Sequence, residues 1–186
     1  MAMLIAGILL WSLVHFIPSV TPHLKTRWLD LCGSKGYWAT FSIIVLLSLV
    51  MIVFGWRHTM PSSVYMPLPA LKHLAMLLMV IAIMLFGAAK HQTRIKRFVR
   101  HPQLASVVVW GIAHLMLNGD IRSVILFSSM TIWALLEIYF INRREGEWIK
   151  PQAPSWLQEL KGLAISAVIL IVVVLLHTYI AGVAIH

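Results

Sequence analysis

Apolar residues run along this chain in six long blocks separated by short polar stretches: Met3–Val20, Tyr37–Trp56, Leu71–Ala89, Phe98–Leu117, Ile121–Ile141 and Gly162–Ile185. At the α-helical rise of about 1.5 Å per residue, a block of roughly 20 residues spans the hydrocarbon core of a bilayer. The pattern predicts an all-α fold, a polytopic membrane bundle of about six transmembrane helices. No internal repeat and no low-complexity linker divides residues 1–186, so a single transmembrane domain is expected.

The fourth and fifth blocks are the most informative pair. Pro102 suits the first turn of a helix, where its missing N–H has no intrahelical partner to lose. Asn118-Gly119-Asp120 is turn chemistry, with Asp120 placed to cap the next helix, so two antiparallel spans should meet at a tight turn. His114 falls inside the fourth block, with Trp110 and Asn118 one turn to either side on the same face.

Composition sharpens the class. The chain is 60% apolar and only 11% charged, with a mean hydropathy of +0.88, far from the roughly 25% charged residues of soluble domains. The first apolar block lacks a basic leader and a small-x-small cleavage pattern, so it is expected to be a retained span. Cys32 is the only cysteine, which excludes an internal disulfide and any iron–sulfur or zinc site built from several thiolates. The formal charge of +9 belongs to short loops and reads as a topology signal, not as a nucleic-acid surface. One side carries Lys25, Arg27 and Lys35, then Lys90, Arg94, Lys96, Arg97 and Arg100, then Arg143, Arg144, Lys150 and Lys161; the other has only Arg57, Lys72 and Arg122. That bias predicts that both termini face away from the cytoplasm. Trp148 and Trp156 beside Pro151 and Pro154 suit a segment at headgroup depth. Glu137, near the end of the fifth block, is expected to reach Arg143 or Arg144 as an interfacial ion pair. The loop arginines are expected to meet lipid phosphates.

Nine histidines in so apolar a chain are the candidate chemistry, because polar groups inside a bilayer need partners. His23, His58, His91 and His186 lie in loops, near a span end or at the terminus and read as solvated or headgroup residues. His15, His73, His101, His114 and His177 lie in or at the ends of spans, in two layers: His15 and His101 on the basic side, His73, His114 and His177 on the other. No His-x-x-His or Cys-x-x-Cys spacing occurs, and each of the five reads equally as an interface histidine bonded to a backbone carbonyl. A bis-histidine haem needs one histidine from each of two helices at compatible depth. His114 with His73 meets that condition best. His15 is the alternative, offset by very roughly 10 Å along the normal, and His177 stands third. Asn118 is a candidate to orient the His114 imidazole or a bound water. Met76, Met79 and Met84 read as flexible packing before an axial ligand. Ser12, Ser106, Ser128 and Thr131 offer no Ser-His-Asp order, and the scarcity of intramembrane carboxylates argues against a proton-coupled transporter.

The stretch IKRFVRHPQLASVVVWGIAHLMLNGD, followed by LFSSMTIWALLEIYFINRR, resembles the NnrU family of bacterial membrane proteins, as do LIAGILLWSLVHFIPS, GYWATFSIIVLLSLVMIVFGW and KHLAMLLM. Plant 15-cis-zeta-carotene isomerase contains a related domain. The resemblance implies a multi-pass protein of the bacterial inner membrane associated with nitrite and nitric-oxide metabolism in denitrifiers. Through the isomerase relatives it also implies haem b with histidine ligation. The matching positions are His15 in VHFIP, His73 in KHLA, His101 in RHP, His114 in AHLMLNGD, and His177 with Gly182. Gly111 and Ala113 stand where a thiol could sit in those relatives. Three functions are thereby expected: a haem-b redox protein, a haem-dependent cis-trans isomerase of a carotenoid or other apolar polyene, and a non-enzymatic assembly partner of nitrogen-oxide respiratory proteins. Whether the chain is an enzyme stays open at this point.

Overall fold

The structure, a computed structural model, describes residues 1–182; the terminal His186 and the end of the sixth apolar block lie outside the described residues. Among the described residues there are six α-helices: α1 (Ala2–Val20), α2 (Pro22–His58), α3 (Lys72–Lys90), α4 (Pro102–Leu117), α5 (Ile121–Glu145) and α6 (Trp156–Ala181). Five are long and apolar enough to cross a membrane.

The fourth, α4, differs from the expected span. It begins at Pro102, not Phe98, and has 16 residues, about 24 Å at the helical rise. The residue before a proline is driven away from the α region, and His101 accordingly sits at φ −121°, ψ 72°. Residues Arg94–Arg97 form a single 3-10 turn before it, and Phe98 is exposed. A second difference lies in the expected first loop. Pro22 starts a helix there that continues through Lys25 and Arg27, and the break comes only at Gly33, whose φ of 69° lies in the left-handed region that glycine occupies without a Cβ clash. The stretch ahead of Gly33 is therefore a separate helical segment on the basic side.

Packing follows a chain of neighbours: α2 lies on α1, α1 on α5, α5 on α4, α4 on α3, and α3 on α6. Small residues set these contacts. Ala75, Ala113, Ala134, Ser48 and Ser123 are fully buried, whereas Leu9, Leu13, Ile43, Leu46 and Leu175 are exposed. This is the arrangement expected where lipid tails solvate the large aliphatics and close backbone approach holds the helices. A Cβ on Gly7 would lie 2.9 Å from the Ile52 backbone nitrogen, and one on Gly55 would strike the Leu4 backbone. Gly87 fits against Ser166, and Gly111 against Thr131 and the Phe127 carbonyl.

The end away from the basic loops is closed by polar contacts. The amino terminus donates to Thr59 Oγ1 at 2.8 Å. Arg57 donates to the Tyr179 carbonyl at 2.8 Å, which satisfies an otherwise open carbonyl near the end of α6. The Asn118-Gly119-Asp120 turn forms as expected. Asp120 caps α5, its Oδ1 accepting from the Ser123 amide at 3.2 Å and its Oδ2 from the Ser123 hydroxyl at 2.5 Å. The loop between α2 and α3 joins this turn: Val64 and Tyr65 amides donate to the Gly119 carbonyl at 2.8 and 3.1 Å, and the Ile121 amide to the Ser62 carbonyl.

Candidate histidine site

His114 lies one turn from the outer end of α4, half-buried. Its Nδ1–H donates to the Trp110 carbonyl at 2.9 Å; a carbonyl can only accept, so this bond places the ring proton on Nδ1 and leaves Nε2 as the lone-pair nitrogen. The ring stacks on Phe127 of α5 with centroids 4.4 Å apart and is flanked by Trp110 at 4.9 Å. Phe127 also meets Trp110 and Trp56 edge-on, and the Arg122 guanidinium covers Trp56 at 4.6 Å. His177 of α6 stands within electrostatic range of His114, because α6 docks on α3, itself the neighbour of α4. Asn118 Nδ2 donates to the His114 backbone carbonyl at 2.9 Å, which ties off the end of α4, and the Trp110 carbonyl orients the imidazole.

His73 opens α3 at the same level but is exposed, and it makes no hydrogen bond or ring contact among the described residues. His15 repeats the His114 pattern in the basic-side layer. Its Nδ1–H donates to the Trp11 carbonyl at 2.8 Å, and the ring is packed among Trp11, Trp133 and Phe41 at 4.3, 5.3 and 5.3 Å. His101 is engaged otherwise, Nε2 against Asn142 Oδ1 at 2.9 Å. Among the described residues no group of three or more His, Cys, Asp or Glu side chains converges. The buried indole N–H groups of Trp11, Trp56 and Trp133 have no protein acceptor. They lie within the two aromatic clusters that hold His15 and His114.

The expected ion pair of Glu137 does not form. Its side chain is 4% exposed with Oε1 unpartnered, while Arg144 pairs with Glu145 and donates to the Pro18 carbonyl. Glu137 and Arg144, two turns apart, share the face of α5 that packs on α1, but the Arg144 guanidinium is taken up by the Pro18 carbonyl and Glu145 at the helix end.

Two parts of the site carried no recognisable motif. Tyr65, in the loop between α2 and α3, donates its hydroxyl to the carbonyls of Leu115 and Asn118, the latter at 2.9 Å. Phe127 supplies the ring against His114. An aromatic residue in a proline-bounded loop facing a helix end was the only available signal for the former. Tyr65, Met66, Leu68, Leu71, Ile112 and Leu115 line a largely apolar groove of about 380 Å³ beside the outer half of α4.

Fold and site together define a polytopic helical membrane protein with histidines inside its spans. A model of the family described as NnrU protein matches residues 3–185. The chain belongs to the NnrU family. No curated protein and no solved structure matches it.

Proposed function

We propose that this chain is a haem-b-binding membrane protein acting in nitrite and nitric-oxide, or related redox, metabolism. His114 would hold the haem iron through Nε2, and the second imidazole would come from His73, His15 or His177, the last of these standing within electrostatic range of His114. The observation that carries this reading is the Nδ1–H bond of His114 to the Trp110 carbonyl, which presents Nε2 as a ligand nitrogen. A ligating imidazole characteristically donates its other N–H to a carbonyl or carboxylate. The donor chemistry suits the group: the His114 imidazole with Nε2 as its lone-pair nitrogen, aromatic walls, and a buried Trp56 N–H able to meet an acceptor atom. When bound, haem supplies one-electron chemistry or a Lewis-acidic iron. The chain's own contribution is to hold the imidazole tautomer through Trp110, to fix the ring plane against Phe127, and to keep water away with lipid-facing aliphatics. The test is a reduced-minus-oxidised spectrum of the protein purified in detergent after expression with ample haem: a Soret and α-band signal is expected, and its absence overturns the proposal.

A second reading, cis-trans isomerisation of a carotenoid or other apolar polyene, is favoured by one feature, the apolar groove between Tyr65 and Met116 that runs beside the His114 helix. Haem-loaded protein expressed in carotenoid-producing cells decides this; an unchanged isomer profile removes the isomerase reading and leaves the redox one.

A further inference from the structure

On the basic side, where α4 begins and α5 ends, an open cavity of about 550 Å³ is lined by Arg100, His101, Arg144, Glu145, Glu147 and Trp148. Both arginines are held in place. Arg100 donates to the Gly146 carbonyl at 2.7 Å and pairs with Glu145 Oε2 at 3.3 Å. Arg144 donates to the Pro18 carbonyl and pairs with Glu145 Oε1 at 3.3 Å. One carboxylate thus faces two guanidiniums, which leaves a surplus positive charge. Glu147 is exposed and makes no hydrogen bond or ion pair among the described residues, which leaves a surplus negative charge on the same cavity. The cavity is dipolar, not simply basic.

Its depth is that of lipid headgroups, since it sits at the ends of two membrane helices beside Trp148, a residue type that prefers the interface. We propose that it binds a phospholipid whose headgroup joins a phosphate to a primary ammonium, phosphatidylethanolamine being the simplest case. The phosphate takes the guanidiniums of Arg100 and Arg144, which match its oxygens in geometry as well as charge. The ammonium donates to Glu147. An anionic headgroup without an amine would meet the Glu147 carboxylate unfavourably. A quaternary ammonium has no N–H to donate, and Lys150 already lies over the Trp148 ring, 5.5 Å from its centroid, where such a cation would otherwise be held.

The test uses the full chain reconstituted in phosphatidylcholine vesicles containing a minor share of phosphatidylethanolamine, its N-methylated forms, or phosphatidylglycerol. The protein is extracted in mild detergent and the retained lipids are counted by native mass spectrometry. Phosphatidylethanolamine should be retained about fivefold over phosphatidylcholine, the scale of one exposed charge pair, with retention falling at each N-methylation. Glu147→Gln should abolish that discrimination without moving the thermal midpoint, and Arg144→Gln should lower retention of every phospholipid. Equal retention of the two zwitterionic lipids, preference for phosphatidylglycerol, or an unchanged preference in Glu147→Gln would each overturn the proposal.

Discussion

Replacing Gly55 by alanine isolates the contact on which the α1–α2 pair is built. The new Cβ would lie 2.6 Å from Leu4 Cα and closer still to its amide nitrogen. Leu4 is fully buried, and the opposing atoms are backbone, so no side chain can swing aside. Relief requires α1 to move out by roughly 1 Å to restore ordinary carbon–carbon separation, a gap that forfeits a quarter to a half of each dispersion contact along the interface. Overpacking costs about 1–3 kcal/mol, and with backbone as the opposing group the upper part of that range, about 2–3 kcal/mol, applies, while alanine regains about 1 kcal/mol in helix propensity. The net expectation is a loss of about 1–2 kcal/mol. Gly162 of α6 provides the matched control, because the nearest atom to its Cβ would be Thr93 Cγ2 at 3.4 Å, an ordinary contact. Gly162→Ala should therefore be neutral or stabilising by up to about 1 kcal/mol. Detergent-solubilised protein followed by circular dichroism through thermal and SDS-induced unfolding reads both. If Gly55→Ala matches or exceeds wild type as Gly162→Ala does, the close approach of α1 and α2 is refuted.

Tyr65 gives a pH-dependent prediction. Burial, aided by the negative charge of Asp120, raises its pKa above the ordinary tyrosine value, so its stabilising contribution is complete below about pH 10 and lost as pH rises further and the hydroxyl that serves Leu115 and Asn118 ionises. Wild type should lose stability above that pH more steeply than Tyr65→Phe; parallel alkaline melting curves would contradict the role assigned to the hydroxyl. Reporter fusions near Lys150 and after His186 should be cytoplasmic and periplasmic respectively, from the lysine and arginine bias, and the reverse pattern would invert the orientation expected here.

Much of this architecture can be read from the order of residues because the bilayer simplifies the problem. Each apolar block must form a helix, since no water is present to satisfy a bare backbone. The Asn118-Gly119-Asp120 turn carries its own geometry. What the sequence withheld depends on rotation about helix axes and on helix pairing. Glu137 lies within reach of Arg144 by spacing, yet that guanidinium is taken up by the Pro18 carbonyl and Glu145. Asn118 is one turn from His114 on the same face, yet its amide finds the backbone carbonyl before the ring. Nothing in α6 announces its docking on α3, a contact set by Gly87 against Ser166. The segment from Pro22 to Cys32 looked like a loop because its charges mask helix-compatible spacing, and Gly33 alone marks where it bends.

The central proposal is that His114 would hold a haem, and the absorption spectrum of single histidine variants tests it most directly. Ferric wild-type protein at neutral pH should show low-spin haem with imidazole on both faces. His114→Ala should convert this to high spin or abolish haem retention, and His177→Ala should do the same if it is the opposite ligand. His101→Ala, whose ring is engaged with Asn142, should leave the spectrum unchanged. An unaltered low-spin spectrum in His114→Ala would contradict the account and move the site to the His15 layer or remove it.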